Sequence, residues 1–419
     1  MEHDLAVVGL GYVGLPLARA ASAAGLSVVG LDVNVGLVAS LNQGRSHVDD
    51  LSDSDIAAMI AAGFRAESDP SVLRRTSTVV ICVPTPLAHD GSPDLGAVRT
   101  ATRMIAEQLQ PGTLVVLEST TFPGTTETII QPLLEEGSGL RAGRDFHVAF
   151  SPERVDPGNP TYTITNTPKV VGGLTEACTT AARDFYARFV EQVVVAKGTR
   201  EAETAKLLEN TYRHVNIALV NEMVQFCHQL GIDLWDVIRL ASTKPFGFEA
   251  FYPGPGVGGH CIPIDPNYLS HAVRSALGYP FRFVELAQEI NATMPAYVAR
   301  RLQNALNDAG RAVRGSSILL LGVTYKANIA DQRESPAVTL ARHLIELGAD
   351  VSFHDPHVVE WDLCPGVPRV ANLEECVGDF NMVVLVQNHR EYAVDDLAGQ
   401  AQIFFDTRGA ATAEKVDRL

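Results

Sequence analysis

The 419-residue sequence predicts an α/β protein with two parallel sheets joined by a helical region. Three observations support this fold class. The first third alternates short β-branched runs with Ala- and Leu-rich helical patterns, as expected of a parallel sheet covered by helices on both faces. Residues 199–230 contain no Pro or Gly and place apolar groups at helical spacing, which predicts one long central helix. The strand–helix alternation returns after Arg311.

The predicted strands are short apolar runs bounded by turn residues. In the first region they lie at 5–9, 27–32, 78–83, 114–118, 147–151, 169–172 and 193–195, and in the last at 318–323, 351–355, 382–386 and 403–406. The long helix ends before Gly231, which suits a left-handed helix cap, and a second long helix is predicted at 281–309. Because this length exceeds what one hydrophobic core usually organises, we expect three domains, at 1–196, 197–310 and 311–419.

Composition argues against several classes of protein. A formal charge of −16 and an isoelectric point near 5.2 disfavour a nucleic-acid binder, which needs a basic face. The six cysteines are scattered without a C-x-x-C pair, so we expect neither a disulfide framework nor a metal site. The sequence shows no secretory signal and no apolar run of membrane-spanning length. We therefore expect a cytoplasmic protein without a membrane partner.

A glycine-rich turn follows the first predicted strand and opens a helix. In Gly9-Leu-Gly11-Tyr-Val-Gly14 the three glycines allow a tight turn, close approach of a pyrophosphate, and close packing of helix on sheet. The helix N-terminus adds unpaired N–H groups and a positive dipole. Asp32 ends the second strand, where its carboxylate can accept hydrogen bonds from ribose and would repel a 2′-phosphate. The pattern predicts a Rossmann-like domain that binds NAD rather than NADP.

A loop dense in Gly and Pro carries the strongest catalytic signal. It reads Phe251-Tyr-Pro-Gly-Pro-Gly-Val-Gly-Gly-His-Cys261-Ile-Pro-Ile-Asp265-Pro266. Such loops bring backbone close to a ligand, two glycines leave room around Cys261, and Asp265 is near enough in sequence to act at the same centre. From the residues alone, Cys261 is equally well a nucleophile or a packed cysteine in an irregular connection.

Lys206 and Asn210 stand four residues apart on the predicted long helix and therefore share a face. A cation and an amide placed in this way can both donate hydrogen bonds to a developing oxyanion. For an arbitrary pair of this kind, a solvated helix surface is the more common explanation.

These residues together resemble the UDP-glucose/GDP-mannose dehydrogenase family of nucleotide-sugar 6-dehydrogenases. The resemblance covers essentially the whole chain and rests on seven ordered motifs. They are Gly9-Leu-Gly-Tyr-Val-Gly-Leu15, Cys82-Val-Pro-Thr-Pro86, Glu118-Ser-Thr120, Ser151-Pro-Glu153, Lys206-Leu-Leu-Glu-Asn210, the Gly-Gly-x-Cys loop ending at Cys261, and Asp331-Gln-Arg-Glu-Ser335.

The resemblance implies a four-electron oxidation of a sugar primary alcohol to a carboxylate with NAD. Lys206 and Asn210 would hold the intermediate aldehyde, and Cys261 would attack it to form a thiohemiacetal and then a thioester. Asp265, Thr120 and Glu153 match the family's residues for proton transfer and water positioning. A thiolate is a strong nucleophile, and a covalent step divides one difficult oxidation into easier ones.

The family's binding residues can also be placed on this sequence. Cofactor binding is implied for Gly9, Gly11, Tyr12, Val13, Gly14, Asp32, Thr85, Thr120 and Arg333. Substrate binding is implied for Glu153, Lys206, Asn210, Phe251, Gly258, Tyr325, Lys326 and Arg408, with Lys326 and Arg408 meeting the diphosphate. The long helix matches the element through which family members form homodimers.

The identity of the sugar stays open in the sequence. The segments 118–124, 151–158 and 244–248 are more similar to the branch that oxidises UDP-N-acetylhexosamines, while UDP-glucose and TDP-glucose remain alternatives. Two rival functions are a two-electron hydroxy-acid dehydrogenase and a non-catalytic NAD-binding protein. The first would need neither Cys261 nor a second α/β domain, and the second would tolerate loss of the catalytic residues, all of which are present.

Overall fold

Two separate sheets organise the chain, one of eight strands and one of five. The computed structural model describes residues 2–48, 51–88, 91–154, 156, 159, 161–259, 262–413 and 416–419. The chain divides into two compact units, Met1–Glu209 with Asn267–Tyr279, and Asn210–Pro266 with Pro280–Leu419.

The first unit is built on the eight-stranded sheet. Its strands are β1 (His3–Val8), β2 (Val28–Leu31), β3 (Arg65–Glu67), β4 (Thr76–Ile81), β5 (Leu114–Leu117), β6 (His147–Phe150), β7 (Lys169–Gly173) and β8 (Val193–Val195). They lie in the order β3-β2-β1-β4-β5-β6-β7-β8 and pair in parallel, except that β6 and β7 run antiparallel. Leu5 of β1 aligns with Val28 on one side and Thr78 on the other, so the order of strands reverses direction at β1.

Within the described residues, six α-helices accompany the strands of the first unit before residue 199. They are α1 (Gly14–Ala23), α2 (Val35–Asn42), α3 (Asp53–Ala61), α4 (Gly96–Ala106), α5 (Gln131–Ser138) and α6 (Glu176–Tyr186). Polar caps fix where several of them begin; Ser52 and Asp55 form a reciprocal capping box at the start of α3. The β-branched strands supply the core, in which Val7, Val80 and Val116 are fully buried.

Four helices follow in the middle of the chain. They are α7 (Thr199–Gln229), α8 (Leu234–Ala241), α9 (Asp265–Leu277) and α10 (Arg282–Asp308). Gly231, just past α7, has a φ of 69°, the left-handed conformation that suits a residue without a Cβ. The two long helices lie where the sequence pattern predicts them.

The second unit contains the five-stranded parallel sheet. Its strands are β9 (Ser317–Leu321), β10 (Asp350–His354), β11 (Met382–Leu385), β12 (Phe404–Asp406) and β13 (Asp417–Arg418), in the order β10-β9-β11-β12-β13. The accompanying helices are α11 (Pro336–Glu346), α12 (Leu373–Cys376) and α13 (Val394–Gln400). Because β9 pairs with β10 on one side and β11 on the other, this sheet also reverses its strand order at its first strand.

The predicted fold class of two Rossmann-like sheets and a long central helix is confirmed, while the three domain boundaries stay a prediction. The sequence patterns did not reveal β3, β13, α8 or α9. None of the helices in the described ranges combines the length and the apolar character needed to span a bilayer.

Candidate active site

The glycine-rich turn after β1 has the shape that a dinucleotide requires. Gly9 has a φ of 92°, and a Cβ there would lie 2.6 Å from the carbonyl oxygen of Cys82. A Cβ on Gly14 would lie 1.9 Å from the carbonyl oxygen of Gly9, so the fold itself requires these two glycines. A Cβ on Gly11, in contrast, would have no neighbour within 4 Å among the described residues. The space beside Gly11 is open, as expected where a pyrophosphate approaches the backbone.

Asp32 occupies the expected place at the end of β2. Its Oδ2 accepts a hydrogen bond from the Leu10 N–H at 2.9 Å, and its Oδ1 accepts from the Asn34 N–H at 2.9 Å. These bonds fix the half-buried carboxylate beside the glycine turn, and each oxygen retains a lone pair for a ribose hydroxyl. Among the described residues, no side chain caps the start of α1 at Val13, where the positive end of the helix dipole lies.

A buried ionic cluster lies at the carboxyl end of β5 and the amino end of β7. Glu118 accepts from Lys169 Nζ at 2.8 Å and from the Tyr186 hydroxyl at 2.5 Å, and the three side chains are almost completely buried. Removal of either ionic partner would leave an uncompensated buried charge, so the pair is expected to stay together. Because Glu118 is held in this way, the cluster also fixes the backbone that leads into Ser119 and Thr120. Thr120 itself is half-buried.

Lys206 meets Glu153 within the first unit. Lys206 Nζ donates to the Glu153 carbonyl oxygen at 2.6 Å and lies 3.3 Å from its carboxylate Oε2. The two residues are only 5% and 8% exposed, so the ammonium group is withdrawn from bulk water and held by two oxygens. Two residues predicted from separate motifs, 53 positions apart, are therefore neighbours in space.

Asn210 lies one turn beyond Lys206 on α7 and reaches a carboxylate of its own. Its Nδ2 donates to Asp265 Oδ2 at 2.5 Å, and the two residues are 5% and 2% exposed. The contact lies within the second unit and orients the amide. Asp265 is the first residue of α9, where a carboxylate is favoured by the helix dipole.

The glycines of the Gly/Pro loop allow it to pack tightly on the loop that follows β9. A Cβ on Gly258 would lie 2.7 Å from Tyr325 Cβ, and one on Gly259 would lie 2.7 Å from the Tyr325 ring. The Gly259 N–H donates to the Arg333 carbonyl oxygen at 3.2 Å. The half-buried Phe251 ring contacts Tyr212 edge-on, with the centroids 5.7 Å apart. Cys261 lies outside the described residues.

Arg408 follows β12 at the same edge of the sheet. Its Nε donates to the Val386 carbonyl oxygen at 2.7 Å, and its backbone N–H donates to Asp406 Oδ1 at 2.7 Å. Burial lowers the pKa of Arg408 to about 10, so the side chain stays charged at neutral pH. A Cβ on Gly254 would lie 3.2 Å from Arg408 Nη1, which places the Gly/Pro loop directly beside this cation.

Arg333 is engaged within the second unit. Its Nη2 and Nε lie 2.6 and 2.9 Å from the Asp331 carboxylate, and half of its side chain is exposed. This pair orients the guanidinium. The predicted contact of Arg333 with the cofactor stays a prediction.

The structure adds positions that the motifs did not reveal. The Tyr268 hydroxyl donates to the Thr85 carbonyl oxygen at 2.8 Å and so holds the Cys82-Val-Pro-Thr-Pro86 motif in place. Asn221 Oδ1 accepts from the Gly254 N–H at 2.9 Å and fixes the Gly/Pro loop. Asn221 lies eleven residues after Asn210 on α7, three helical turns along the same face, and this spacing was the one available signal.

Three family models cover nearly the whole chain. The NAD binding domain of the UDP-glucose/GDP-mannose dehydrogenase family matches residues 3–190, its central domain matches 200–293, and its UDP binding domain matches 319–413.

Individual relatives match over almost their full length. The NDP-N-acetyl-D-galactosaminuronic acid dehydrogenase of Ralstonia solanacearum is 35% identical over 99% of this chain and 97% of its own. The UDP-N-acetyl-D-glucosamine 6-dehydrogenase of Pseudomonas aeruginosa is 35% identical over 93% and 92%. The solved UDP-D-ManNAc dehydrogenase of Pyrococcus horikoshii superposes with a TM-score of 0.89 at 33% identity, covering 99% of this chain and 98% of that one.

The chain therefore belongs to the UDP-glucose/GDP-mannose dehydrogenase family. It is an NAD-dependent nucleotide-sugar dehydrogenase, with the cofactor assigned to the first sheet and a nucleotide sugar as substrate.

Proposed function

We propose that this enzyme oxidises the carbon-6 alcohol of a UDP-N-acetylhexosamine to the carboxylate through a cysteine thioester. The observation that carries the proposal is the pair of donors on α7, Lys206 against Glu153 and Asn210 against Asp265. Each donor is buried and lies against a carboxylate of its own unit, so each half of the proposed electrophilic clamp has an acid–base group beside it. A hydroxy-acid dehydrogenase would use the donors without needing the Cys261 loop.

The donors on α7 stabilise negative charge on the carbon-6 oxygen. Lys206 supplies an ammonium and Asn210 an amide N–H, and both are held in place before substrate binds. Because such donors need no reorganisation, they stabilise the oxyanion in the transition state more than the ground state. Thr120 and Glu153 position water, and Asp265 takes up the protons that are released.

Cys261 divides the oxidation into two parts. Its thiolate forms a bond to carbon 6 of the aldehyde, and the carbonyl oxygen takes a proton to give a thiohemiacetal. Loss of the hydroxyl proton to a base, together with loss of the carbon-6 hydrogen with its electron pair, leaves a thioester. Water then adds to the thioester carbonyl, the carbon–sulfur bond breaks, and the thiolate is regenerated with the carboxylate. The glycine turn and Asp32 would hold two molecules of NAD in succession, and each would supply the acceptor for one hydride, first from the carbon-6 alcohol and then from the thiohemiacetal.

The nucleotide is assigned to the second sheet. Lys326 and Arg408 follow β9 and β12 and supply positive charge to the diphosphate, while Tyr325, Phe251 and Gly258 shape the pocket for the rest of the substrate. Parallel sheets bind ligands at the carboxyl ends of strands where the strand order reverses, as it does at β9. The guanidinium of Arg333 is assigned to the cofactor.

The N-acetylhexosamine is favoured over glucose by two sources of support. The segments around Glu118, Glu153 and Lys244 are similar to that branch, and the relatives named above act on N-acetylated sugars according to their names. UDP-glucose and TDP-glucose are the competing substrates.

The proposal is tested by measuring NADH with UDP-GlcNAc, UDP-ManNAc, UDP-GalNAc, UDP-glucose, TDP-glucose and GDP-mannose. We expect turnover with one of the UDP-N-acetylhexosamines and, with that sugar limiting, about two NADH per sugar nucleotide. A ratio of one with free aldehyde in solution contradicts the thioester route. Turnover with UDP-glucose or TDP-glucose alone contradicts the sugar assignment and leaves the chemistry standing.

We also propose that the protein forms a homodimer through α7. This helix exposes large apolar side chains at a spacing that forms a stripe, namely Leu208, Tyr212, Leu219 and Phe226, each between 45% and 64% exposed. A stripe of this length on a 31-residue helix is the kind of surface that a second copy covers.

A further inference from the structure

A buried histidine connects two loops at the nucleotide edge of the second sheet. His389 follows β11, and its side chain is completely buried together with that of Asp355, which follows β10. The Asn328 N–H donates to His389 Nδ1 at 2.9 Å, while His389 Nε2 lies 3.1 Å from Asp355 Oδ2. Asn328 belongs to the loop that carries Tyr325 and Lys326.

These contacts define the tautomer of His389, that is, which ring nitrogen carries the proton. A backbone N–H can only donate, so Nδ1 of His389 must be the accepting nitrogen. The proton therefore lies on Nε2, which donates to the Asp355 carboxylate. Asp355 is fixed in turn by the Val323 N–H at 2.7 Å and the His357 N–H at 2.8 Å.

Other bonds tie the same two loops together. Gln387 Nε2 donates to the Tyr325 carbonyl oxygen at 2.9 Å, and the Arg390 N–H donates to Asn328 Oδ1 at 2.8 Å. Asn328 has a φ of 65°, a left-handed conformation that costs free energy outside glycine. His389 accepts from the backbone of this strained residue, so it holds the loop at the point where the loop would otherwise relax.

The histidine is not available to a metal ion. His357 and Glu391 place ligand atoms within 4.8 Å of His389, which is a spacing that a cation could use. Both ring nitrogens of His389, however, already have partners in Asn328 and Asp355. The contacts therefore assign this histidine to the loop.

We propose that His389 is the positioning residue that holds the Tyr325–Lys326 loop in the shape that receives the nucleoside diphosphate. The inference rests on the proposed role of Lys326. Asp355 sets the tautomer, Nδ1 of His389 fixes Asn328, and Asn328 fixes the end of the loop that presents the lysine. His389 itself touches no substrate.

Two substitutions test the proposed role of His389, because the amide of each one mimics a different nitrogen of the imidazole. His389→Asn keeps an acceptor near the place of Nδ1 and loses the contact with Asp355, whereas His389→Gln keeps a donor near Nε2 and loses the acceptor for Asn328. His354→Gln is the matched control, because His354 ends β10 but contacts Tyr392 instead of the loop.

The measurements are the Kd of UDP and NAD by calorimetry, the KM and kcat for the sugar nucleotide, and hydrogen exchange at the Asn328 amide. For His389→Gln we expect UDP to bind about tenfold more weakly, as a lost buried hydrogen bond implies. The KM for the sugar nucleotide should rise in parallel, with faster amide exchange and little change in kcat or NAD affinity. His389→Asn and His354→Gln should remain near wild type.

Equal UDP affinity for wild type and His389→Gln overturns the inference and leaves the proposed function intact. Equal losses in both His389 variants, or parallel losses of UDP and NAD binding, show that the residue only supports the fold. A wild-type enzyme that binds no UDP overturns the proposed nucleotide site and the inference together.

Discussion

Lys206 and Asn210 show how a helix can hold polar groups that would be costly if they were buried alone. A buried ammonium requires a partner, and a buried amide requires its hydrogen bonds. Glu153 and Asp265 supply them, at 2.6 Å through a carbonyl oxygen and at 2.5 Å through a carboxylate. In the proposed reaction the carboxylates of Glu153 and Asp265 have a second role, in positioning water and in proton transfer.

Substitution of Cys261 separates the two halves of the proposed chemistry. Cys261→Ala removes the nucleophile, and carboxylate production should fall by a factor on the order of 10³ or more. Cys261→Ser retains a weaker nucleophile whose oxygen ester resists hydrolysis, so a covalent sugar-nucleotide adduct should accumulate and be visible by intact-protein mass spectrometry. NAD affinity should barely change in either variant, which serves as the control. Acid production by the alanine variant at near the wild-type rate would rule out the covalent role.

Asp32 is expected to decide the choice between NAD and NADP. A 2′-phosphate beside its carboxylate would place like charges together at a cost of several kcal/mol, so Asp32→Ser should lower the NAD-to-NADP ratio of kcat/KM by a factor on the order of 10². The control is Asp69→Ser, which changes another aspartate of the first unit that hydrogen-bonds nearby Ser71. An unchanged ratio in the Asp32 variant would mean that this carboxylate does not face the ribose.

At the scale of single elements, the long helices were predictable and the small elements were not. Residues 199–230 carry helical periodicity over about nine turns without a Gly or Pro, so the pattern repeats often enough to be unambiguous. The three-residue β3 buries only Ala66 and carries no alternation that distinguishes it from a loop. Strand β13 has two residues and exists only because β12 pairs with it.

Only the part of the candidate site that depends on local sequence could be predicted. Motif spacing pointed to the glycine turn and Asp32, because these signals lie within adjacent elements, whereas Lys206 and Asn210 were singled out by the resemblance to the family. The partners of those donors depend on tertiary structure; 53 residues separate Lys206 from Glu153. The place of His389 could not be predicted, since its role depends on a backbone N–H at Asn328, and backbone groups leave no signature in a sequence.

Glu203 on α7 connects the helix to the segment around Gly124 and Thr126, and the stability that this contact contributes depends on pH. It is fully buried and accepts from the Thr126 N–H at 2.9 Å, the Thr126 hydroxyl at 2.7 Å and the Gly124 N–H at 2.5 Å. Burial nevertheless raises the pKa of Glu203 to about 6, from an ordinary value of 4.5. The folded protein thus binds more protons than the unfolded chain between these values, so this group's contribution to stability falls as pH rises from 4.5 to 6.

We expect this contribution to fall by about 2 kcal/mol across that window. Glu203→Gln cannot titrate, so its stability should lack the fall although it is lower throughout, because one accepting oxygen is replaced by a donor. Denaturant unfolding at pH 4.5, 5.5 and 7 measures the difference between the two proteins, which should be largest at the lowest pH. A difference that is constant with pH contradicts the assignment.

At the scale of the whole molecule, the apolar stripe on α7 predicts the oligomeric state. Leu219→Lys together with Phe226→Lys places two charges in the proposed interface and should convert the dimer to a monomer in light scattering after size exclusion. Val359→Lys is the control, since Val359 is 72% exposed but lies away from this helix in the sequence. If the double variant still forms dimers, the apolar stripe on α7 is not the dimer interface.

The NAD site proposed here lies at the glycine turn after β1, where the space beside Gly11 is open and Asp32 is held close by through Leu10. In the second sheet the corresponding carboxylate, Asp355, is sealed beneath His389. The proposed reaction needs two equivalents of oxidant. The NAD site must therefore bind NAD, release NADH and bind NAD again in every turnover. Reduced cofactor has to depart while the half-oxidised sugar stays, and the residence time of that sugar must exceed the time for cofactor exchange. In the proposed mechanism the covalent bond to the sulfur of Cys261 provides such retention while the cofactor is exchanged.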